Sequence, residues 1–111
     1  MATVRSFYRI ARVFPPADEE YWTLQERRGD PPENASGEVR RSWDALSAFD
    51  SEAGARRVAR ARSRLGTLIV RYDIPEGAAV TWEKTLGPGH YDLRGDVVEF
   101  KTYLADVVVD V

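Results

Sequence analysis

In the stretch 67–74, TLIVRYDI, the residues Leu68, Val70, Tyr72 and Ile74 recur at every second position. A period of two marks a strand with one face on a core. Residues 4–14 alternate differently. Val4, Tyr8 and Ile10 form one set and Phe7, Ala11 and Val13 the other, which predicts a central strand covered on both sides. Arg9 falls in the second set, and a charge on a covered face needs a partner or an opening to solvent.

Between these strands the pattern shifts to helix. Asp18-Glu19-Glu20 puts negative charge in a first turn and Arg27-Arg28 puts positive charge before Gly29, predicting a helix over 17–28 with Tyr21 and Leu24 inward. Residues 29–40 are rich in Pro, Gly, Asn and Ser and read as an irregular excursion. Residues 42–49 read as an extended segment, and Asp50 or Ser51 caps a helix over 51–64. On that helix Ala55, Val58, Ala59 and Leu65 take one side while Arg56, Arg57, Arg60 and Arg64 take another. Pro75-Glu76-Gly77 predicts a turn, 78–83 a short strand, and 97–110 one long strand or two short ones. This order predicts an α+β fold with a curved, mainly antiparallel sheet and two helices.

Composition narrows the chemistry. At 111 residues the chain is read as one domain, and a net charge of −2 gives no global pull toward nucleic acid or anionic membrane. Cysteine is absent, which removes disulfides and thiolate chemistry, and a single histidine removes a histidine-cluster metal site, so no metal is expected. There is no membrane-length apolar run and no signal-peptide pattern, so the expectation is a soluble, cytoplasmic protein that does not engage a membrane.

Five residues at four places carry candidate chemistry. His90-Tyr91 lies in Gly87-Pro88-Gly89-His90-Tyr91, a shaped loop whose histidine suits acid–base work or substrate orientation; the structural reading is a ring that holds the turn. Arg9 could hold a phosphate or carboxylate bidentately, or pair with an acidic neighbour. Ser47, just before a helix, offers a hydroxyl to a ligand or to a neighbouring strand. Glu99, placed on a strand with Val97, Lys101 and Tyr103, is a carboxylate that would need a cleft. The arginine stripe on 51–64 lacks interleaved aromatics in an acidic chain and reads as a solvated face, so nucleic acid is not the expected partner; a third reading is contact of these arginines with a nucleic-acid backbone, which predicts binding at low salt that falls steeply with added salt.

Phe7-Tyr8-Arg9, Trp43-Asp44-x-Leu46-Ser47-x-Phe49-Asp50, Ile74-Pro75 and Gly-Pro-Gly-His-Tyr-x-Leu-x-Gly-Asp together resemble a family of small bacterial proteins. In more distant outline they resemble the ADP-ribosyltransferase-like fold, including toxin domains and RES-type toxins that consume NAD. That resemblance implies NAD as cofactor, with Arg9 at the pyrophosphate, Ser47 at the nicotinamide end and Glu99 acting on the ribose. His90 and Tyr91 match no standard motif of that superfamily. They are expected as one wall of the cleft, Tyr91 toward the cofactor and His90 beside Glu99 as a catalytic candidate. The expected function is binding of NAD or a related nucleotide in that cleft, as an ADP-ribosyltransferase-like protein whose toxin-like role would be to transfer ADP-ribose or hydrolyse NAD. The alternative is a non-enzymatic module for a protein partner, homodimeric through an edge strand or apolar patch at Val107-Val108-Val109.

Overall fold

The alternating stretches become strands of one antiparallel sheet in the computed structural model, which describes residues 3–110 and the side-chain surroundings as far as Asp106. The strands are β1 (Val4–Ala11), β2 (Leu46–Phe49), β3 (Leu68–Pro75), β4 (Thr81–Lys84), β5 (His90–Arg94) and β6 (Leu104–Asp110), in the spatial order β4-β5-β2-β1-β3-β6. The four helices among the described residues are α1 (Leu24–Arg28), α2 (Gly37–Ser42), α3 (Glu52–Ala61) and α4 (Val97–Thr102). The α+β class and the antiparallel sheet are therefore as expected, with four α-helices where two were predicted.

The sheet is unevenly joined. β1 and β3 pair at every position from Val4↔Pro75 to Ala11↔Leu68, whereas β1 and β2 share the single register pair Tyr8↔Phe49. Two three-stranded halves are thus joined by a ladder of one pair. Register also sorts the side chains. Phe7, Arg9, Ala48, Tyr72, Tyr91 and Leu93 share one face, while Tyr8, Phe49, Ile69, His90 and Asp92 share the other.

The first face carries the larger core. Phe7, Leu46, Ala48, Val70, Tyr72, Ile74 and Leu93 are buried there with Tyr21 and Phe100. Each fully buried side chain of this size contributes about 1.5–3 kcal/mol of transfer free energy. Phe100 stacks on Tyr21 at 5.9 Å and 27°, and Lys101 pairs with Asp18, so α4 is clamped to the turn at Asp18–Tyr21. The second face is covered by α3, whose Ala55 and Ala59 seat on Phe49 and Ile69 with Tyr8, Ile10 and Val58 around them. Two alanines at i and i+4 let a helix lie close on a sheet.

Several local expectations are corrected. The helix over 17–28 is instead a 3₁₀ turn, Asp18–Tyr21, followed by α1, because Thr23 starts a new helix through a capping box with Glu26. Tyr21 is buried as expected, but Leu24 is exposed. Within the excursion 29–40, Ser36 caps α2, so residue 42 ends a helix and the extended segment shrinks to β2. Ser51 is the cap of α3, its Oγ accepting from the Gly54 amide at 3.1 Å. Residues 97–102 form α4 rather than strand: the Asp96 carboxylate accepts from the Glu99 amide at 3.0 Å and starts a helix despite two valines. The apolar patch expected at Val107–Val109 concerns side chains that lie outside the described ones.

Two glycines are fixed by geometry. Gly66, at φ +137°, passes so close to β1 that a Cβ would sit 2.2 Å from the Ala11 carbonyl oxygen. Gly89, at φ +64°, would place a Cβ 2.8 Å from an Asp50 carboxylate oxygen, while its carbonyl accepts from the Asp50 amide at 2.9 Å. Both positions need a residue without a side chain.

Candidate functional site

The residues singled out from sequence fall into three places. Arg9 and Ser47 come together where β1 and β2 diverge. Arg9 Nε donates to the Ser47 carbonyl at 2.9 Å, and Nη1 donates to the Glu20 carbonyl at 3.1 Å. The partners are backbone carbonyls rather than the carboxylate expected of a structural arginine. Arg9 lies 6.0 Å from the Tyr21 ring centroid, and the Tyr72 hydroxyl donates to the Tyr21 hydroxyl at 2.9 Å. Burial drives the Tyr72 hydroxyl far above the usual tyrosine range, against the opposing pull of Arg9, so it stays protonated. The exposed Ser47 side chain belongs to the other face, opposite Asp92.

His90 and Tyr91 are not in the loop but begin β5, and they point to opposite faces. The loop is the preceding segment 85–89. Thr85 Oγ1 lies 2.7 Å from His90 Nδ1 and takes the Gly87 amide at 3.3 Å, and the His90 amide donates to the Gly87 carbonyl at 3.1 Å. The imidazole meets the Phe49 ring edge-on at 5.4 Å. Burial holds His90 below the usual histidine range; Asp92 and Glu38 pull the other way, and Lys84 reinforces the lowering. The ring is therefore neutral at pH 7 and held by its own turn.

Glu99 stands in the first turn of α4, and no hydrogen bond or ion pair joins its side chain to Arg9, Ser47, His90 or Tyr91 among the described residues. The strand expected to present it with Val97, Lys101 and Tyr103 is not formed. No cluster of metal-ligating side chains occurs among the described residues either.

Tyr91 gathers what sequence reasoning missed. Arg5 Nη2 donates to the Tyr91 hydroxyl at 2.6 Å, with the guanidinium 4.7 Å from the Tyr91 centroid and 5.5 Å from that of Phe7. Lys84, paired with Tyr91 across β4 and β5, brings its ammonium 5.8 Å from the same ring. Phe7 packs between Tyr91 at 5.2 Å and the half-buried Trp82 at 5.4 Å. Lys84 also donates to the carbonyls of Thr85 and Gly87, at 2.6 and 2.7 Å. Among the described residues neither Arg5 nor Lys84 forms a salt bridge. Two cations around one aromatic ring, without a carboxylate, make a site complementary to an anion. The only available signal was that Arg5 shares the period-two set of Phe7 and Arg9.

Among the described residues the reverse face holds one buried charge. Asp92 is 2% exposed and accepts from the Ser42 hydroxyl at 2.6 Å, which ties the end of α2 to β5. Beside it Arg94 bonds Asp44 at 3.1 Å and the Arg41 carbonyl at 2.6 Å.

Comparison of this chain with protein-family models, with curated proteins and with solved structures gives no match. No helix among the described residues is long and apolar enough to cross a membrane.

Proposed function

We propose that the chain binds a phosphate-bearing nucleotide at Arg5, Lys84 and Tyr91, with NAD as the first ligand to test. One observation carries the reading: two cations reach a single tyrosine ring and neither has a carboxylate partner among the described residues. Two like charges gathered on one ring repel each other, and a bound phosphate would offset that repulsion. Arg5 keeps donors free beyond its bond to the Tyr91 hydroxyl. Trp82 offers an aromatic surface at the same place for a base or nicotinamide ring. The sequence resemblance to ADP-ribosyltransferase-like proteins supports NAD among nucleotides.

The proposal is about binding first. Transfer of ADP-ribose or hydrolysis of NAD requires a carboxylate at the ribose, and Glu99 is the candidate to test for it. Arg9, engaged with two carbonyls, serves in this reading to hold the two sheet halves together.

Titration with NAD and with ADP-ribose, followed by amide NMR and calorimetry, tests the site. Shifts are expected at Arg5, Lys84 and Tyr91, and Arg5→Gln with Lys84→Gln should weaken binding at least about tenfold, since each charge-assisted bond is worth about 1.5–3 kcal/mol. Absence of shifts at these residues, or affinity unchanged by the double variant, refutes the assignment.

A further inference from the structure

A second cationic surface lies on the opposite side of the sheet. Residues 53–72 contain six arginines and no aspartate or glutamate, although the whole chain is net negative. The fold concentrates them: α3 seats Ala55 and Ala59 on the sheet and turns Arg57 and Arg60 outward. Arg56, Arg57 and Arg60 line a shallow concavity of about 390 Å³ with Glu52 and Ala53. A second one, of about 250 Å³, is lined by Arg12, Ser63, Arg64, Gly66 and Thr67. Arg12 is drawn in from the end of β1 by donating Nε and Nη2 to the Arg64 carbonyl, at 3.2 and 3.0 Å. Among the described residues Arg56 is neutralised by Glu52 at 2.7 Å and Arg71 by Asp73 at 3.2 Å, while Arg57, Arg60 and Arg64 form no salt bridge.

We propose that this face docks the phosphodiester backbone of a nucleic-acid duplex. Three features choose that partner. The apolar side of α3 is already covered by the sheet, so the helix cannot lay it into a membrane interface. The lining of both concavities contains no aromatic side chain, which removes the stacking platform of a single-strand site. Apart from Glu52, which is paired with Arg56, the polar side chains of the lining are guanidinium and hydroxyl, the groups that contact phosphates without reading sequence. From Arg56 the arginines continue along α3 and the following 3₁₀ turn to Arg64, rising about 1.5 Å per helical residue and so covering roughly four backbone phosphates of one strand.

Fluorescence anisotropy with labelled DNA and RNA duplexes, in a salt series on the full chain, tests the proposal. Binding at low salt should fall with a slope of about −3 to −4 in log K against log salt, as expected for about four phosphate contacts. Arg57→Gln with Arg60→Gln should reduce that slope by about 2 and weaken low-salt binding at least about tenfold. Both side chains are exposed, and circular dichroism should show the variant folded. The charge-matched control Arg28→Gln with Arg41→Gln, elsewhere on the surface, should bind as the wild type does. The DNA and RNA arms tell which duplex is preferred, and either outcome supports the proposal. No duplex binding at about 50 mM salt, equal loss in the control, or equally tight binding of poly-glutamate overturns it. Because the Arg5–Lys84–Tyr91 site is on the other face, the Arg57 and Arg60 variant separates failure here from failure of the nucleotide reading.

Discussion

Arg9 Nε donates to the Ser47 carbonyl at 2.9 Å, so the guanidinium of β1 bonds the backbone of β2 where their ladder has ended after one register pair. A carbonyl of a central strand needs a donor. Here a side chain supplies it and reaches on to the Glu20 carbonyl, connecting both sheet halves and the turn that carries the buried Tyr21.

Removing that guanidinium should therefore loosen the fold rather than only a ligand. Arg9→Ala leaves two carbonyls without charge-assisted donors, and a loss of about 2–3 kcal/mol is expected from urea unfolding. Arg9→Lys should recover only part of it, because one ammonium cannot reproduce the planar fork. A stability change under about 0.5 kcal/mol for Arg9→Ala would show that the seam is held by other contacts.

Gly66→Ala should be more damaging than its size suggests. The new Cβ would meet the Ala11 carbonyl at 2.2 Å, at a φ that L side chains rarely adopt. Backbone on both sides of the clash leaves no flexible side chain to yield. A loss of about 3 kcal/mol or more is expected, read as a lower urea midpoint. Gly77→Ala provides the comparison: its φ is +87° but nothing lies within 4 Å of the added Cβ, so only the conformational cost remains.

His90 gives a pH signature with a definite sign. Its folded-state pKa is lowered, chiefly by burial, so over the interval just below the unfolded value of about 6.5 the unfolded chain binds the extra proton. The contribution to stability is present above about pH 6.5 and is lost as the pH falls through the folded value. As the only histidine, it can be followed by proton NMR, and its midpoint should lie below that of a free histidine. His90→Gln should flatten this part of the stability profile; an unchanged profile would assign the slope to carboxylates.

The extent to which sequence revealed the fold follows from which forces are local. The period-two pattern of 67–74 and the doubly covered strand around Phe7 became β3 and the central β1, because burial alone sets such patterns. Caps overruled propensity elsewhere. Asp96 turned Val97-Val98 into helix, and Thr23 split the acidic-to-basic stretch in two. Glu99 was consequently placed on the wrong kind of element. The meeting of Arg9 with Ser47 fits the order of motifs, but that Ser47 would offer its carbonyl depends on the short β1–β2 ladder, which no local pattern encodes. Arg5 and Lys84 stand 79 positions apart and become neighbours of one ring only through the strand order.

Buried Asp92 should be sensitive to its single short partner. Ser42→Ala removes the hydroxyl that donates at 2.6 Å and leaves a carboxylate 2% exposed with that donor missing. A loss of about 1–3 kcal/mol is expected in urea unfolding. Asp92→Asn, which keeps an acceptor for the same hydroxyl and removes the charge, should cost less than Asp92→Ala. The reverse order would mean that the charge itself, through Arg94 and its neighbours, holds the end of α2.

Ligand linkage provides the last prediction and separates the two cationic surfaces. A ligand that binds only the folded chain raises stability by RT ln(1 + [L]/Kd), about 2.7 kcal/mol at a hundredfold excess over Kd. ADP-ribose should raise the thermal midpoint of the wild type at constant ionic strength. It should raise that of Arg57→Gln with Arg60→Gln by the same amount, since those residues lie on the far side of the sheet. Arg5→Gln with Lys84→Gln should show a much smaller rise, and Tyr91→Phe an intermediate one, because it keeps the ring that carries both cations and loses only the hydroxyl bonded to Arg5. If instead the α3 variant loses the ADP-ribose effect and the Arg5–Lys84 variant keeps it, the nucleotide belongs on the arginine face, and the pairing of Arg5 with Tyr91 is a device of packing alone.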